Sequence, residues 1–304
     1  MTDAVRPAWI AVDWGTSNLR AWAMAANGRV LAEASSEDGM GKLDRDGFEP
    51  ALLRLIGAWL SGSPPVVACG MVGSRQGWCE APYRTVPCPP LDLSAQVSAP
   101  AADPRLRVLI APGLKQAQPA DVMRGEETQI AGALRLMPGY DGILCLPGTH
   151  SKWAHISAGE VVSFQTYMTG EMFALLSEAS VLRHGMQGAA GWDDAAFDAA
   201  VLDALSRPER LAARLFSLRA EGLIAGLAPG SARARLSGLL IGTELAAARP
   251  YWLGQKVTLI GAEKLSAAYA RALAAQGVDA MRLSATDCTL AGLAALSPQT
   301  EAAG

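Results

Sequence analysis

An apolar run of β type, Trp9–Val12, ends on a lone carboxylate, Asp13. A Gly15-Thr16-Ser17 turn follows, then a second β-type run through Trp22. Asn27-Gly28 offers a two-residue hairpin turn into a third run, Arg29–Ala34, since that pair readily takes the backbone a tight hairpin needs. The period then changes. Leu52, Leu53, Ile56, Trp59 and Leu60 share one face at helical spacing, which predicts a helix over Gly47–Ser61. Pro64-Pro65 stops it, and Val66–Cys69 is a short buried strand ending in Gly70. Strand, crossover helix and strand form the βαβ unit of a mostly parallel or mixed sheet. Gly70–Pro90 has little period, Arg107–Ala111 is a strand, and Gln116–Asp121 reads as a linker or hinge. A helix starts at about Gly125.

The opening pattern then recurs. Gly142–Ile156 is again an apolar run, a Gly148-Thr149 turn and a second β-type run, with Ala158-Gly159 leading into Glu160–Tyr167. With Gly148-Thr149 laid on Gly15-Thr16, the hairpin turns agree to within two residues, and Leu146 falls where Asp13 stands. Helical patterns follow over Gly170–Leu182, Asp194–Gly226 (broken at Pro208) and Leu236–Ala248, whose single acid, Glu244, reads as buried and structural. Lys256–Ile260 is a strand running through Gly261-Ala262 into a helix, Glu263–Ala275. Asp279–Leu283 and Thr286–Leu296 are the last strand and helix, and Ser297–Gly304 reads as a frayed end.

The alternation of strands and helices predicts an α/β fold, and 304 residues are long for one core. Residues 1–115 are expected as an N-terminal domain and 116–304 as a C-terminal one, with the last helix, about 286–296, packing back on the first. Half of the residues are hydrophobic and 18% charged, enough apolar material for two cores. A net charge of -3 leaves no basic stripe to neutralise phosphates, which argues against a nucleic-acid partner. The five cysteines form no C-x-x-C pair, so neither a zinc knuckle nor a redox pair is supported. Met1–Pro7 lacks an apolar signal core, and no uncharged run reaches the roughly 18 residues of a membrane span. The expectation is a soluble cytoplasmic protein with no membrane partner.

The candidate chemistry sits at the breaks in the pattern. A Gly-Thr-Ser turn presents backbone N–H groups and two hydroxyls, which suit a phosphate; Asp13 beside it suits a Mg²⁺ ion held through water. The turn at Gly148-Thr149 has the same donors without the acid, so the pair suggests a nucleotide clamped between duplicated domains. Arg75, Gln76, Trp78, Glu80 and Tyr83 crowd one loop that follows a strand, an arrangement suited to a small polyhydroxy acid. Glu126 and Glu127 open a helix, where the dipole favours acids, and either one aimed at a hydroxyl could accept its proton. Gly261-Ala262 lets a flat ring or a ribose approach the backbone.

Five motifs carry a resemblance: Val12-Asp13-Trp14-Gly15-Thr16-Ser17-Asn18-Leu19-Arg20, Gly70-Met71-Val72-Gly73-Ser74-Arg75-Gln76-Gly77-Trp78, Glu80-Ala81-Pro82-Tyr83, Arg124-Gly125-Glu126-Glu127-Thr128-Gln129, and Leu146-Pro147-Gly148-Thr149-His150-Ser151-Lys152-Trp153. The chain resembles the actin-like ATPase superfamily of sugar kinases, acetate kinases, actin and Hsp70-type chaperones. Within it, the sequence is most similar to the 2-dehydro-3-deoxygalactonokinase family.

The resemblance implies two RNase H-like domains across a cleft holding MgATP, and phosphorylation of 2-dehydro-3-deoxy-D-galactonate at its C6 hydroxyl. It implies Asp13 for the metal, Gly15, Thr16 and Ser17 for the first phosphate loop, and Gly148, Thr149 and His150 for the second. It further implies Gly261 and Ala262 for adenosine, and Ser74, Arg75, Gln76, Trp78, Tyr83 and Arg124 for the sugar acid. Arg75 or Arg124 takes the carboxylate. Related sugar kinases often carry Gly-Asp where this chain has Gly125-Glu126, so Glu126 is the expected base and Glu127 the alternative. Other 2-keto-3-deoxy sugar-acid or sugar kinases, a water-accepting ATPase or phosphatase, and an ATP-driven scaffold are the rival readings. The oligomeric state is open, a homodimer included.

Overall fold

In the computed structural model, which describes residues 5–188 and 191–297, strands β1 (Trp9–Trp14), β2 (Leu19–Met24) and β3 (Val30–Ser36) form the opening hairpins. Helix α1 (Phe48–Ile56) and strand β4 (Val66–Gly70) follow. After them come the short strands β5 (Tyr83–Thr85), β6 (Val97–Ser98), β7 (Val108–Ile110), β8 (Gly113–Gln116) and β9 (Asp121–Met123), then helix α2 (Glu126–Leu136). The second set runs β10 (Gly142–Leu146), β11 (Ser151–Ser157), β12 (Glu160–Tyr167), α3 (Thr169–Ala174), α4 (Asp194–Ser206), α5 (Leu211–Ile224), α6 (Pro229–Ala247) and α7 (Arg249–Trp252). Strand β13 (Val257–Gly261), α8 (Glu263–Ala274), β14 (Met281–Ser284) and α9 (Ala285–Ala295) complete it.

The strands build two larger mixed sheets, ordered β3-β2-β1-β4-β7-β6 and β12-β11-β10-β13-β14, and a small one, β5-β8-β9. In the first, β1 pairs antiparallel with β2 and parallel with β4. In the second, β10, β13 and β14 run parallel. The duplication legible in the turns is thus a duplication of strand order, since β3-β2-β1-β4-β7 matches β12-β11-β10-β13-β14. Two compact units result. Among the described residues, one holds 5–141, Ile156–Ser163 and 285–297; the other holds Gly142–His155, 164–188 and 191–284.

Alternation along β1 and β4 sorts their side chains between two layers. Ile10, Val12, Trp14, Val66 and Ala68 pack toward α1, with Phe48, Leu52 and Ile56. There the Trp14 ring lies 5.0 Å from Phe48 and 6.3 Å from Trp78. Burying each such ring stabilises the fold by about 2–3 kcal/mol. Trp9, Ala11, Val67 and Cys69 face the other way, against Leu293 and Leu296 at the end of the chain. The last helix thus returns to the first unit, and two glycines admit it. A Cβ on Gly132 of α2 would lie 1.8 Å from the Cys288 carbonyl oxygen, and one on Gly292 of α9 would lie 2.0 Å from that of Thr128. In the other unit, Phe197, Val201, Ile241, Leu245, Tyr269 and Leu273 from α4, α6 and α8 cover Ile143, Cys145 and Leu259.

Several elements depart from the sequence pattern. Asn27-Gly28 is not a two-residue turn: Ala25 N–H donates to Arg29 O and Gly28 N–H to Ala25 O, and the register shifts at Ala23/Met24. Only Gly28 takes positive φ there, so a longer turn with a bulge replaces the tight one. Gln116–Asp121 is the connection of the β8–β9 hairpin instead of a linker. Helix α6 begins at Pro229, seven residues earlier than the apolar pattern, because proline is pre-set for a helix's first turn. The helical stretch expected over Gly170–Leu182 is helical but not uniform: α3 passes into a π-helical turn, Leu175–Ala179, and then a 3-10 helix, Val181–Gly185. The frayed end expected past Ser297, like Met1–Ala4, lies outside the described residues. No described helix is long and apolar enough to cross a membrane.

Candidate active site

Because Asp13 alternates with Trp9 and Ala11, its side chain emerges on the α9 face of the first sheet. The registers place Arg20 of β2 and Cys69 of β4 directly beside it. Arg20 donates from Nη2 to Asp13 Oδ2 at 2.5 Å and from Nη1 to Thr286 Oγ1 at 3.3 Å, and its guanidinium lies 5.3 Å from the Trp22 ring centre. The Cys69 thiol is 4.0 Å from Asp13 Oδ1. Burial first, then the charges of Asp13 and Glu127, push that thiol well above its ordinary value. One carboxylate from β1 and one from α2 therefore flank the same buried sulfur.

The first turn closes through Gly15 N–H, which donates to Asn18 O at 2.9 Å. Its carbonyls are occupied from behind: Met40 N–H donates to Gly15 O and Gly41 N–H to Thr16 O. A Cβ on Gly39 would stand 2.2 Å from the Ser17 carbonyl carbon and 2.4 Å from Thr16 O. Only glycine lets this segment press on the turn. Thr16 and Ser17 stay exposed.

Glu126 and Glu127 reach this neighbourhood through a second close approach. Gly125, at φ 107°, comes against Gly70, the last residue of β4. Glu127 is fully buried and accepts Gly125 N–H at 2.9 and 2.7 Å on its two oxygens, with Thr128 Oγ1 donating at 3.1 Å. Burial, then the neighbouring Glu126 charge, raises its carboxyl from 4.5 to about 8. Glu126 is half-buried and accepts Arg124 N–H at 3.1 Å. Of the two acids, Glu127 is built into the helix start and Glu126 is the more accessible.

The loop after β4 divides the residues expected to hold a sugar acid. Arg75 and Gln76 are exposed. Trp78 is not at the surface: it is 4% exposed and stacks on Phe48, anchoring the loop from beneath. Arg124 is a strut. It donates from Nη2 to Ala81 O at 2.8 Å and from Nε to Tyr83 OH at 3.4 Å, and lies 4.2 Å from the Tyr83 ring centre. Its Nη1 and the Ser74 hydroxyl are buried with no partner among the described residues, the two donors a bound oxyacid or a water would satisfy.

In the other unit, the second turn repeats the construction of the first. Glu171 N–H donates to Thr149 O at 2.9 Å, and a Cβ on Gly170 would lie 2.2 Å from Gly148 O. Gly170 thus does for this turn what Gly39 does for the other. His150 is exposed and pairs through Nε2 with Glu171 Oε2 at 2.5 Å. Gly261 lies beside the base of the turn, where a Cβ would come 3.3 Å from Pro147 O, and Ala262 is exposed at the start of α8. A cavity of about 1000 Å³ opens at Gly148 and Thr149 and runs between α3, α4, α6 and α8. Thr169, Phe173, Arg233, Ile241, Lys264 and Tyr269 are among its walls, with the Arg233 guanidinium 5.2 Å from the Phe173 ring centre.

The 2-keto-3-deoxy-galactonokinase family matches residues 13–296, which includes every residue of both turns. The chain belongs to that family. It is 39% identical over 296 residues to a probable 2-dehydro-3-deoxygalactonokinase of Rhizobium meliloti (strain 1021), covering 94% of this chain and 95% of that protein. It is 34% identical over 292 residues to the 2-dehydro-3-deoxygalactonokinase of Escherichia coli (strain K12), covering 95% and 97%. A crystal structure of a candidate family member from Sinorhizobium meliloti superposes with a TM-score of 0.87 at 38% identity, over 95% of this chain and 97% of that one. The fold alone is shared with component A of the (R)-2-hydroxyglutaryl-CoA dehydratase of Acidaminococcus fermentans, at TM-score 0.52 and 13% identity, over 97% of this chain and 99% of that one.

Family membership bears on the metal. Among the described residues no group of three or more His, Cys, Asp or Glu could hold a metal ion. A single carboxylate such as Asp13 would suit Mg²⁺ arriving with a nucleotide, because Mg²⁺ keeps several waters and takes most other ligands from phosphate. Sequence pattern missed Arg20, although counting the hairpin register places it opposite Asp13. It also missed Gly39 and Gly170, whose role depends on contacts that no local pattern reports.

Proposed function

We propose that this protein transfers the γ-phosphoryl group of ATP to the C6 hydroxyl of 2-dehydro-3-deoxy-D-galactonate. The observation that carries this reading is the repeated Gly-Thr turn of a kinase family, each copy backed by a glycine, with a carboxylate beside the first only. In this reading each Gly-Thr turn is the phosphate loop of an RNase H-like domain. Backbone N–H groups and hydroxyls of Gly15, Thr16 and Ser17, and of Gly148, Thr149 and His150, neutralise the phosphates. The nucleoside takes the cavity of α3, α4, α6 and α8, with Gly261 and Ala262 at its border. Asp13 would hold Mg²⁺ through water, and the ion when bound would neutralise phosphate charge.

Ser74, Arg75, Gln76 and Tyr83 bind the sugar acid, above Trp78 and braced by Arg124. Arg75 takes the carboxylate, because it is exposed whereas Arg124 holds Ala81 and Tyr83 and has only its buried Nη1 left to donate. Glu126 accepts the C6 hydroxyl proton as that oxygen bonds to the γ-phosphorus and the bond to the β-phosphate oxygen breaks, releasing ADP. Asp13→Asn is expected to lower turnover at least about 100-fold with melting little changed, and Arg75→Ala to raise the sugar-acid KM while sparing that of ATP. Steady-state kinetics decide both. Full turnover in Asp13→Asn would remove the metal-side role, and an unchanged sugar-acid KM in Arg75→Ala would remove the carboxylate role.

A further inference from the structure

Glu244 of α6 is 3% exposed and touches no cation among the described residues. A buried carboxylate in that state is costly unless donors surround it. Here they do. Trp153 Nε1 donates to Oε1 at 2.8 Å, Tyr269 OH donates to Oε2 at 2.6 Å, and Thr169 Oγ1 also donates to Oε2. The Ser151 hydroxyl joins through Tyr269 OH at 3.0 Å.

The origin of these donors matters more than their number. Ser151 and Trp153 open β11, immediately after the Gly148-Thr149-His150 turn. Thr169 opens α3, next to the Gly170 that presses on Gly148. Thr169 and Tyr269 also line the cavity that begins at the turn. One carboxylate therefore holds both segments that frame the second turn. With the Thr169 proton committed to Glu244, that hydroxyl offers only acceptor capacity to the cavity.

We propose that Glu244 is a positioning residue for the nucleotide: through Thr169, Ser151 and Trp153 it fixes the second turn and the start of α3 in the form that receives phosphate, without touching the ligand itself. This rests on the reading of that turn as a nucleotide site. Glu244→Gln keeps the shape but turns one acceptor oxygen into an NH₂ donor facing other donors.

The test is calorimetric binding of ADP to the full-length protein, with steady-state KM for ATP and for the sugar acid. Glu244→Gln is expected to weaken ADP binding and raise the ATP KM by about tenfold, a loss equivalent to one buried hydrogen bond, with the sugar-acid KM held within about twofold. Thr169→Ser, which keeps the donor to Glu244, is expected to bind ADP more tightly than Thr169→Val, which is expected to reproduce the nucleotide defect. The Thr169 pair decides the matter if Glu244→Gln does not fold. Wild-type ADP affinity in a folded Glu244→Gln, or in Thr169→Val, would overturn the proposal, whatever happens to the melting temperature. Failure of the wild-type protein to bind ADP would instead overturn the functional reading beneath it.

Discussion

Two adjacent acids at the start of α2 end with opposite characters because they face different surroundings. Glu127 is enclosed and accepts Gly125 N–H on both oxygens, so burial drives its carboxyl up to about 8. Glu126 is half-buried and, in the proposed reaction, is the acid that a substrate hydroxyl would meet. Glu126→Gln is therefore expected to cut kcat by about 10²–10⁴-fold with little change in KM. Glu127 has a stability signature instead. An acid with a raised folded pKa binds its proton in the folded state and not in the unfolded state between 4.5 and about 8. Its contribution is complete below 4.5 and declines as pH rises through about 8. Glu127→Gln removes that decline, so thermal melts from pH 5 to 9 should show the variant gaining on wild type as pH rises. Parallel melting curves across that range would mean that Glu127 is charged in the folded protein. The pattern of adjacent acids was legible in the sequence; their division of labour was not, since it depends on how Gly125 meets Gly70.

At the level of elements, strand alternation and the turn residues carried most of the fold. Gly15 and Thr16 recur as Gly148 and Thr149, with Leu146 in place of Asp13, and the sheets repeat accordingly. What the pattern could not convey is contact between distant segments. Gly39 and Gly170 look like ordinary loop and helix-start glycines in the sequence, yet each removes a Cβ that would collide with a turn. The same holds for α2 and α9. Their apolar faces predict burial, but only the structure shows Gly132 against Cys288 and Gly292 against Thr128. Gly132→Ala and Gly292→Ala should each destabilise the fold by about 1–3 kcal/mol through overpacking, measured by denaturant unfolding. Alanine at either position with an unchanged midpoint would show that the helices can separate at no cost.

Over the whole molecule, the sequence singled out the two Gly-Thr turns, the Gly70–Tyr83 loop and the two acids, because each lies where a regular period breaks. It did not locate the cavity that opens at Gly148 and Thr149, whose walls come from four helices with ordinary apolar spacing. Nor did it reveal Glu244 as a hub, since one acid in an apolar helix reads as structural until its donors are seen. It also placed Trp78 among ligand-binding residues, where its neighbours Arg75 and Gln76 are exposed but the indole itself completes an aromatic cluster. The central claim concerns the acceptor. ADP release by purified protein, followed with MgATP and either 2-dehydro-3-deoxy-D-galactonate, its gluconate-derived isomer or no sugar acid, tests it directly. Rapid release that requires the galactonate-derived acid, with a 6-phosphorylated product, is the predicted result. Equal release with no sugar acid present would contradict it and make water the acceptor.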